Sequence, residues 1–181
     1  MSVIFNVPRL ICANVGDSRA VLASRDTRTE GWCVRALSRD HKPNSEGEME
    51  RILGKGGRVF PYRGENGEEL GPHRVWHSTE NIPGLAMSRS IGDRIAIDLG
   101  VIPDPEVLDI NLTPLDKFVV IASDGVWEFM SNEEVIGFQN KLLGGRFGFS
   151  VLRAEKCRGS LREGRAGIST KMVYDIFSES S

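Results

Sequence analysis

The sequence predicts a mixed α/β domain, and three observations predict it. Apolar, β-branched runs such as residues 10–15 and 118–122 stop at short Gly, Asp and Ser turns, as strands do. Two Ser-x-x-Glu pairs, Ser45 with Glu48 and Ser131 with Glu134, stand before helically spaced apolar residues, as capping boxes do. The length, 181 residues, suits one hydrophobic core better than two.

The elements follow in order. Residues 3–5 and 10–15 are extended, Gly16-Asp17-Ser18 turns, and Ala20 to Ala23 resumes the apolar run, which predicts a hairpin. Trp32 to Leu37 adds a third strand as a meander. Ser45 and Glu48 cap a helix with Met49, Ile52 and Leu53 on one face, and Gly54, Gly56 and Gly57 end it. Arg58-Val59-Phe60 starts another strand. Residues 61–83, rich in Gly, Pro, Glu and His, read as a long surface excursion with a short strand at Arg74-Val75-Trp76. Leu85 to Asp93 reads as helical, and 101–110 as extended around Pro103 and Pro105. Phe118 to Ala122 is a continuous apolar run, expected of a strand buried on both faces. Ser131 and Glu134 open a helix through Val135 and Ile136. Beyond about residue 143 the composition turns to Gly, Arg and Ser with weak periodicity, compatible with a loosely ordered tail.

Composition narrows the function classes. Hydrophobic content of 40% and charged content of 27% are ordinary for a soluble globular protein. A formal net charge of −2 gives no general attraction to nucleic acid or anionic membrane. No apolar run is long enough to span a bilayer, and no signal peptide is legible. Cys12, Cys33 and Cys157 are far apart and form no CxxC pair, so reduced thiols in a cytoplasmic or nuclear compartment are expected. His41, His73 and His77 lack metal-binding spacing and read as solvated or packed histidines. Arg74 and Ser88-Arg89-Ser90 could grip phosphate, but pairing with local acids is the more common use of such arginines.

Two carboxylates stand out by position. Asp17 lies in the first turn, and Asp124 lies where the 118–122 strand stops, followed by Gly125. A carboxylate at the end of a rigid strand suits a hard divalent ion such as Mg²⁺ or Mn²⁺. A plain turn is the commoner use of either residue. The residues alone stop at a mixed α/β domain with a potential oxygen-ligand metal site.

Five segments in order carry more. They are Ala13 to Leu22 (ANVGDSRAVL), Asp40-His41-Lys42-Pro43 through Glu50-Arg51-Ile52 to Gly56-Gly57-Arg58-Val59, Pro83 to Asp93 (PGLAMSRSIGD), Pro103-Asp104-Pro105-Glu106-Val107, and Phe118 to Glu128 (FVVIASDGVWE). Together they resemble the C-terminal half of metal-dependent protein serine/threonine phosphatases of the PPM, or type 2C, family, in a spelling similar to plant and protist members.

The resemblance implies an α+β fold, a partial α-β-β-α sandwich of two antiparallel sheets flanked by helices, with the N-terminal part missing. It covers 1–137 and leaves 138–181 as a divergent tail. It implies hydrolysis of phosphoserine and phosphothreonine in protein substrates by water activated on two Mn²⁺ or Mg²⁺ ions. Asp124 takes the place of a core metal ligand, and Asp17 that of an Asp helping to hold a third, weaker metal. Residues from about Gly57 to Ile82 correspond to the flap beside the active site, and Glu128 stands where the family usually has Asp. The DGHGG motif, the phosphate-gripping Arg and the final Asp ligand have no counterpart, Asp175 being a poor match, so no catalytic residue is assigned. One core ligand cannot hold two divalent ions. The expectation is therefore a partial phosphatase, inactive as this chain alone, and monomeric if folded. The alternative is a non-catalytic, pseudophosphatase-like binding module.

Overall fold

A computed structural model describes residues 1–6, 8–29, 31–143, 148–155 and 167–172. The chain divides into two compact units, one of Met1–Ala13, Ser18–Arg39 and the chain from Val107 on, the other of Asn14–Asp17 and Asp40–Glu106.

In the first unit, β1 (Ser2–Asn6), β2 (Arg9–Asn14) and β8 (Glu106–Asn111) form a three-stranded sheet in the order β1-β2-β8. A five-stranded sheet combines β3 (Arg19–Arg25), β4 (Trp32–Ala36), β9 (Asp116–Ala122), β10 (Gly148–Glu155) and β11 (Gly167–Met172), ordered β11-β10-β9-β3-β4. Its β9–β10 pair is parallel, and β3 runs antiparallel to both β4 and β9. The period of two along a strand sorts the core residues into layers. Ala20 and Leu22 of β3, with Val119 of β9, face Leu10 and Cys12 of β2 between the two sheets. The alternate residues Val21, Ala23, Phe118, Val120 and Ala122 face the opposite way, onto helices. Those helices are α3 (Asp124–Trp127) and α4 (Asn132–Leu143), which contribute Val126, Trp127, Val135 and Ile136. The layered α+β sandwich that the resemblance implied is present. The 118–122 run is buried on both sides because its strand lies between a sheet and a helical layer.

One local expectation changes where the two sheets are joined. The segment Gly16-Asp17-Ser18 does not close a hairpin, because β2 pairs with β1 while β3 pairs with β4 and β9. It carries the chain from one sheet to the other. Both strands carry core residues for the layer between the sheets, which a two-stranded hairpin could not bury. Further along the chain α4 spans residue 137, and two strands follow it among the described residues. The remainder of the tail, with Cys157 and Asp175, lies outside the described residues.

The second unit holds α1 (Glu48–Gly54), β5 (Arg58–Arg63), β6 (Glu69–Trp76), β7 (Pro83–Leu85) and α2 (Arg94–Ile97). Its core joins Ile52, Val75, Ala96, Leu99 and Val101, with Val59 and Leu85 against them. The expected surface excursion is in fact a three-stranded sheet, ordered β5-β6-β7. Its first turn is closed by the Gly64 amide donating to the Glu68 carbonyl at 2.9 Å, with Gly67 at φ 81°. The Asn66-Gly67 pair, a strong hairpin signal, could have disclosed it. The helix expected over Leu85–Asp93 is absent. The chain forms β7, then an irregular stretch with a bridge from Arg89 to Ile102, and becomes helical only at Arg94. Polar anchoring of Ser88 and Arg89 replaces helical hydrogen bonding there. No helix among the described residues is long and apolar enough to cross a membrane.

Candidate functional site

Asp17 sits in a turn that His41 holds from both sides. The Gly16 amide donates to His41 Nδ1 at 3.1 Å, and the His41 amide donates back to the Gly16 carbonyl at 3.1 Å. Gly16 has φ 100°, a conformation that excludes most side chains. His41 is only 1% exposed, its Nε2 3.6 Å from a Glu106 carboxylate oxygen. It is therefore a packed histidine, as its isolated spacing suggested. The adjacent Lys42 turns to Asp17, and its Nζ donates to Oδ2 at 2.6 Å. Asp17 is 7% exposed, and Lys42 neutralises its buried charge.

Asp124 begins α3 directly after β9. Its Oδ1 accepts the Gly125 amide at 2.9 Å, and its side chain is exposed. Glu128 follows one helical turn later, its amide donating to the Asp124 carbonyl at 2.8 Å, and it too is exposed. The i, i+4 spacing places two carboxylates one turn apart. The short helix is fixed from below by Trp127, whose indole N–H donates to the Ala122 carbonyl at 2.9 Å. Asp17 belongs to the second unit and Asp124 to the first.

Among the described residues no group of three or more His, Cys, Asp or Glu could hold a metal ion. The described donors therefore do not amount to a two-metal centre. They offer an exposed acidic turn at Asp124 and a buried carboxylate already paired with Lys42.

The arginines suspected of gripping phosphate are engaged locally. Arg74 Nη1 donates to the Gly84 carbonyl at 2.7 Å. Arg89 meets Glu48 at 2.7 Å and the Asp104 carbonyl at 3.0 Å. Glu48 is a residue whose role the sequence reading missed. No side-chain cap bond forms at α1, so the expected capping box is absent. Glu48 instead receives Arg51 at 2.8 Å, Ser88 Oγ at 2.5 Å and Arg89. Burial alone would raise its pKa. The hydrogen bonds from Arg51, Arg89 and Ser88 outweigh that and hold it well below the ordinary carboxylate range. Of the cysteines, Cys33 is exposed, whereas Cys12 is buried and burial pushes its thiol pKa up.

Comparison with known proteins agrees with this architecture. The family model described as Protein phosphatase 2C matches residues 1–145. The chain belongs to the protein phosphatase 2C family. It is 50% identical over 127 residues to Probable protein phosphatase 2C 12 of Oryza sativa subsp. japonica, covering 70% of this chain and 31% of that protein. It is 47% identical over 125 residues to Probable protein phosphatase 2C 34 of Arabidopsis thaliana, covering 68% of this chain and 33% of the relative. The chain thus spans about a third of the length of these curated relatives. Among solved structures, a serine-threonine phosphatase 2C from Toxoplasma gondii superposes with a TM-score of 0.67 over 80% of this chain and 47% of its own, at 23% identity. A phosphatase from a pathogenic strain of Toxoplasma gondii gives 0.54 at 28% identity, over 76% of this chain and 39% of that one.

Proposed function

We propose that this chain carries part of the scaffold of a metal-dependent protein serine/threonine phosphatase, acting on phosphoproteins, and that it is not catalytic by itself. Family membership supports the reaction class. The observation that carries the second half is the donor set: no metal-holding group of three acidic, His or Cys side chains occurs among the described residues. In this reading Asp124 and Asp17 each serve as a ligand for Mn²⁺ or Mg²⁺. Asp124 fits that role because an exposed carboxylate on a helix anchored by Trp127 is held ready, with no cation paired to it among the described residues. Asp17 fits it less directly, since Lys42 must give way before an ion can take its Oδ2. Divalent ions, when bound, would supply a water ionised near neutral pH and neutralise phosphoryl oxygens.

The test is manganese-dependent hydrolysis of a phosphothreonine peptide by the purified chain beside Asp124→Asn, with Mn²⁺ binding followed by electron paramagnetic resonance. The expected result is no turnover above background and weaker Mn²⁺ binding in the variant. Turnover that needs manganese and disappears in the variant would overturn the claim of inactivity. Unchanged Mn²⁺ binding would overturn the ligand assignment.

A further inference from the structure

Alternation along β5 and β6 gives their sheet two unlike faces. Val59 and Val75 point into the core beside Ile52. A cleft of about 700 Å³ opens elsewhere on the same sheet, lined by Arg58, Phe60, Tyr62, Arg63, Trp76 and Asn81. Phe60 is stacked on Trp76, with ring centroids 5.4 Å apart and planes 18° apart. Both guanidinium groups lie against the Phe60 ring, Arg58 at 5.2 Å and Arg63 at 5.8 Å. Such stacking holds an arginine in place while leaving its charge unneutralised. Arg58 is fixed further, its Nε donating to the His77 carbonyl at 2.7 Å and its Nη2 to the Glu80 carbonyl at 3.0 Å. Among the described residues neither arginine forms an ion pair, although Glu69 stands opposite Arg63 in the strand register. Tyr62 presents its ring to solvent, 56% exposed.

We infer that this cleft docks an acidic peptide segment of a partner protein, one with an apolar side chain beside its carboxylates. Charge complementarity selects the acid. Two positive charges sit within a chain of net charge −2, and no carboxylate neutralises either one among the described residues. The aromatic wall selects an apolar neighbour, and Tyr, Trp and Arg are the residues that most often dominate binding energy at protein interfaces. The volume suits a few residues of an extended peptide, within the range typical of ligand clefts. Asn81 adds an amide that can pair with the peptide backbone. The inference concerns binding alone and stands or falls separately from the catalytic reading.

The test is fluorescence anisotropy of a fluorescein-labelled octapeptide of Asp, Glu and Leu against the whole chain, Arg63→Glu, Tyr62→Ala and Arg28→Glu. Arg63 and Tyr62 are exposed, and Arg28 is an exposed residue outside the cleft that gives the same charge change as Arg63→Glu. The expected result is saturable binding, weakened at least tenfold by Arg63→Glu, severalfold by Tyr62→Ala, and less than twofold by Arg28→Glu. Absence of saturable binding, or equal loss in Arg63→Glu and Arg28→Glu, would overturn it. So would equally tight binding of the peptide with Asn and Gln replacing its acids. Tighter binding of a single-stranded oligonucleotide would overturn it in favour of a nucleic-acid surface.

Discussion

Glu48 is a carboxylate buried at the head of a helix, and two arginines and a serine keep it charged there. Removing it strands both guanidiniums, so Glu48→Ala should cost about 3 kcal/mol in a denaturant titration. The pH dependence has a definite sign. A carboxylate whose folded pKa is depressed contributes its full stability above its unfolded value, near 4.5, and loses it as pH falls toward the folded value. The gap in melting temperature between the parent chain and Glu48→Gln should therefore be constant near neutrality and narrow progressively below about pH 4.5. Calorimetry across pH 3–7 would check it, and a gap that widened in acid would contradict the pairing. None of this was legible locally. Ser45 and Glu48 have capping-box spacing, but Ser88 and Arg89, distant in sequence, take the carboxylate. Asp17 was recognised as a position of interest, whereas its ion pair with Lys42 depended on the fold returning the chain beside it.

At the scale of elements, local chemistry decided most clearly where both partners lie within one turn. The second capping box forms as read: the Ser131 amide donates to Glu134 Oε2 at 2.8 Å, and the Glu134 amide donates to Ser131 Oγ at 3.2 Å. Ser131→Ala should cost about 1 kcal/mol, seen as a lower denaturation midpoint. The β7 segment behaves differently. Gly84 has φ 71°, and a Cβ there would lie 2.9 Å from the Trp76 ring. Gly84→Ala should destabilise by about 1–3 kcal/mol through strain and overpacking. A shift of the Trp76 fluorescence would accompany it. Nothing in Pro83-Gly84-Leu85 by itself distinguished a strand from the start of a helix; pairing with β6 decided it.

At the scale of the molecule, burial and pairing rank the elements by resistance to opening. The strands β3 and β9 are central in the five-stranded sheet and packed on both faces. Their amides should exchange with deuterium more slowly than those at the β5–β6 turn, around exposed Asn66 and Gly67. Mass-spectrometric hydrogen exchange would check the order. In the second unit, Ile52→Ala empties the middle of its core and should cost about 2–5 kcal/mol. In the first unit, by contrast, the β1-β2-β8 sheet leaves Ile4 60% and Val107 61% exposed.

By itself the sequence determined the central strand at 118–122, the helix after Ser131 and, through five ordered motifs, the family. Each of these rests on residues close together in the chain or on a pattern that survives without knowledge of partners. Only the tertiary structure decided that Gly16 to Ser18 joins two sheets, that residues 58–85 form a sheet of their own, and that Glu48 serves Arg51, Ser88 and Arg89. A turn fixes the local path of the chain, but which strand receives the next one depends on where apolar faces can be buried together. A carboxylate likewise takes whichever donors the finished fold brings within 3 Å, as Ser88 and Arg89 come to Glu48.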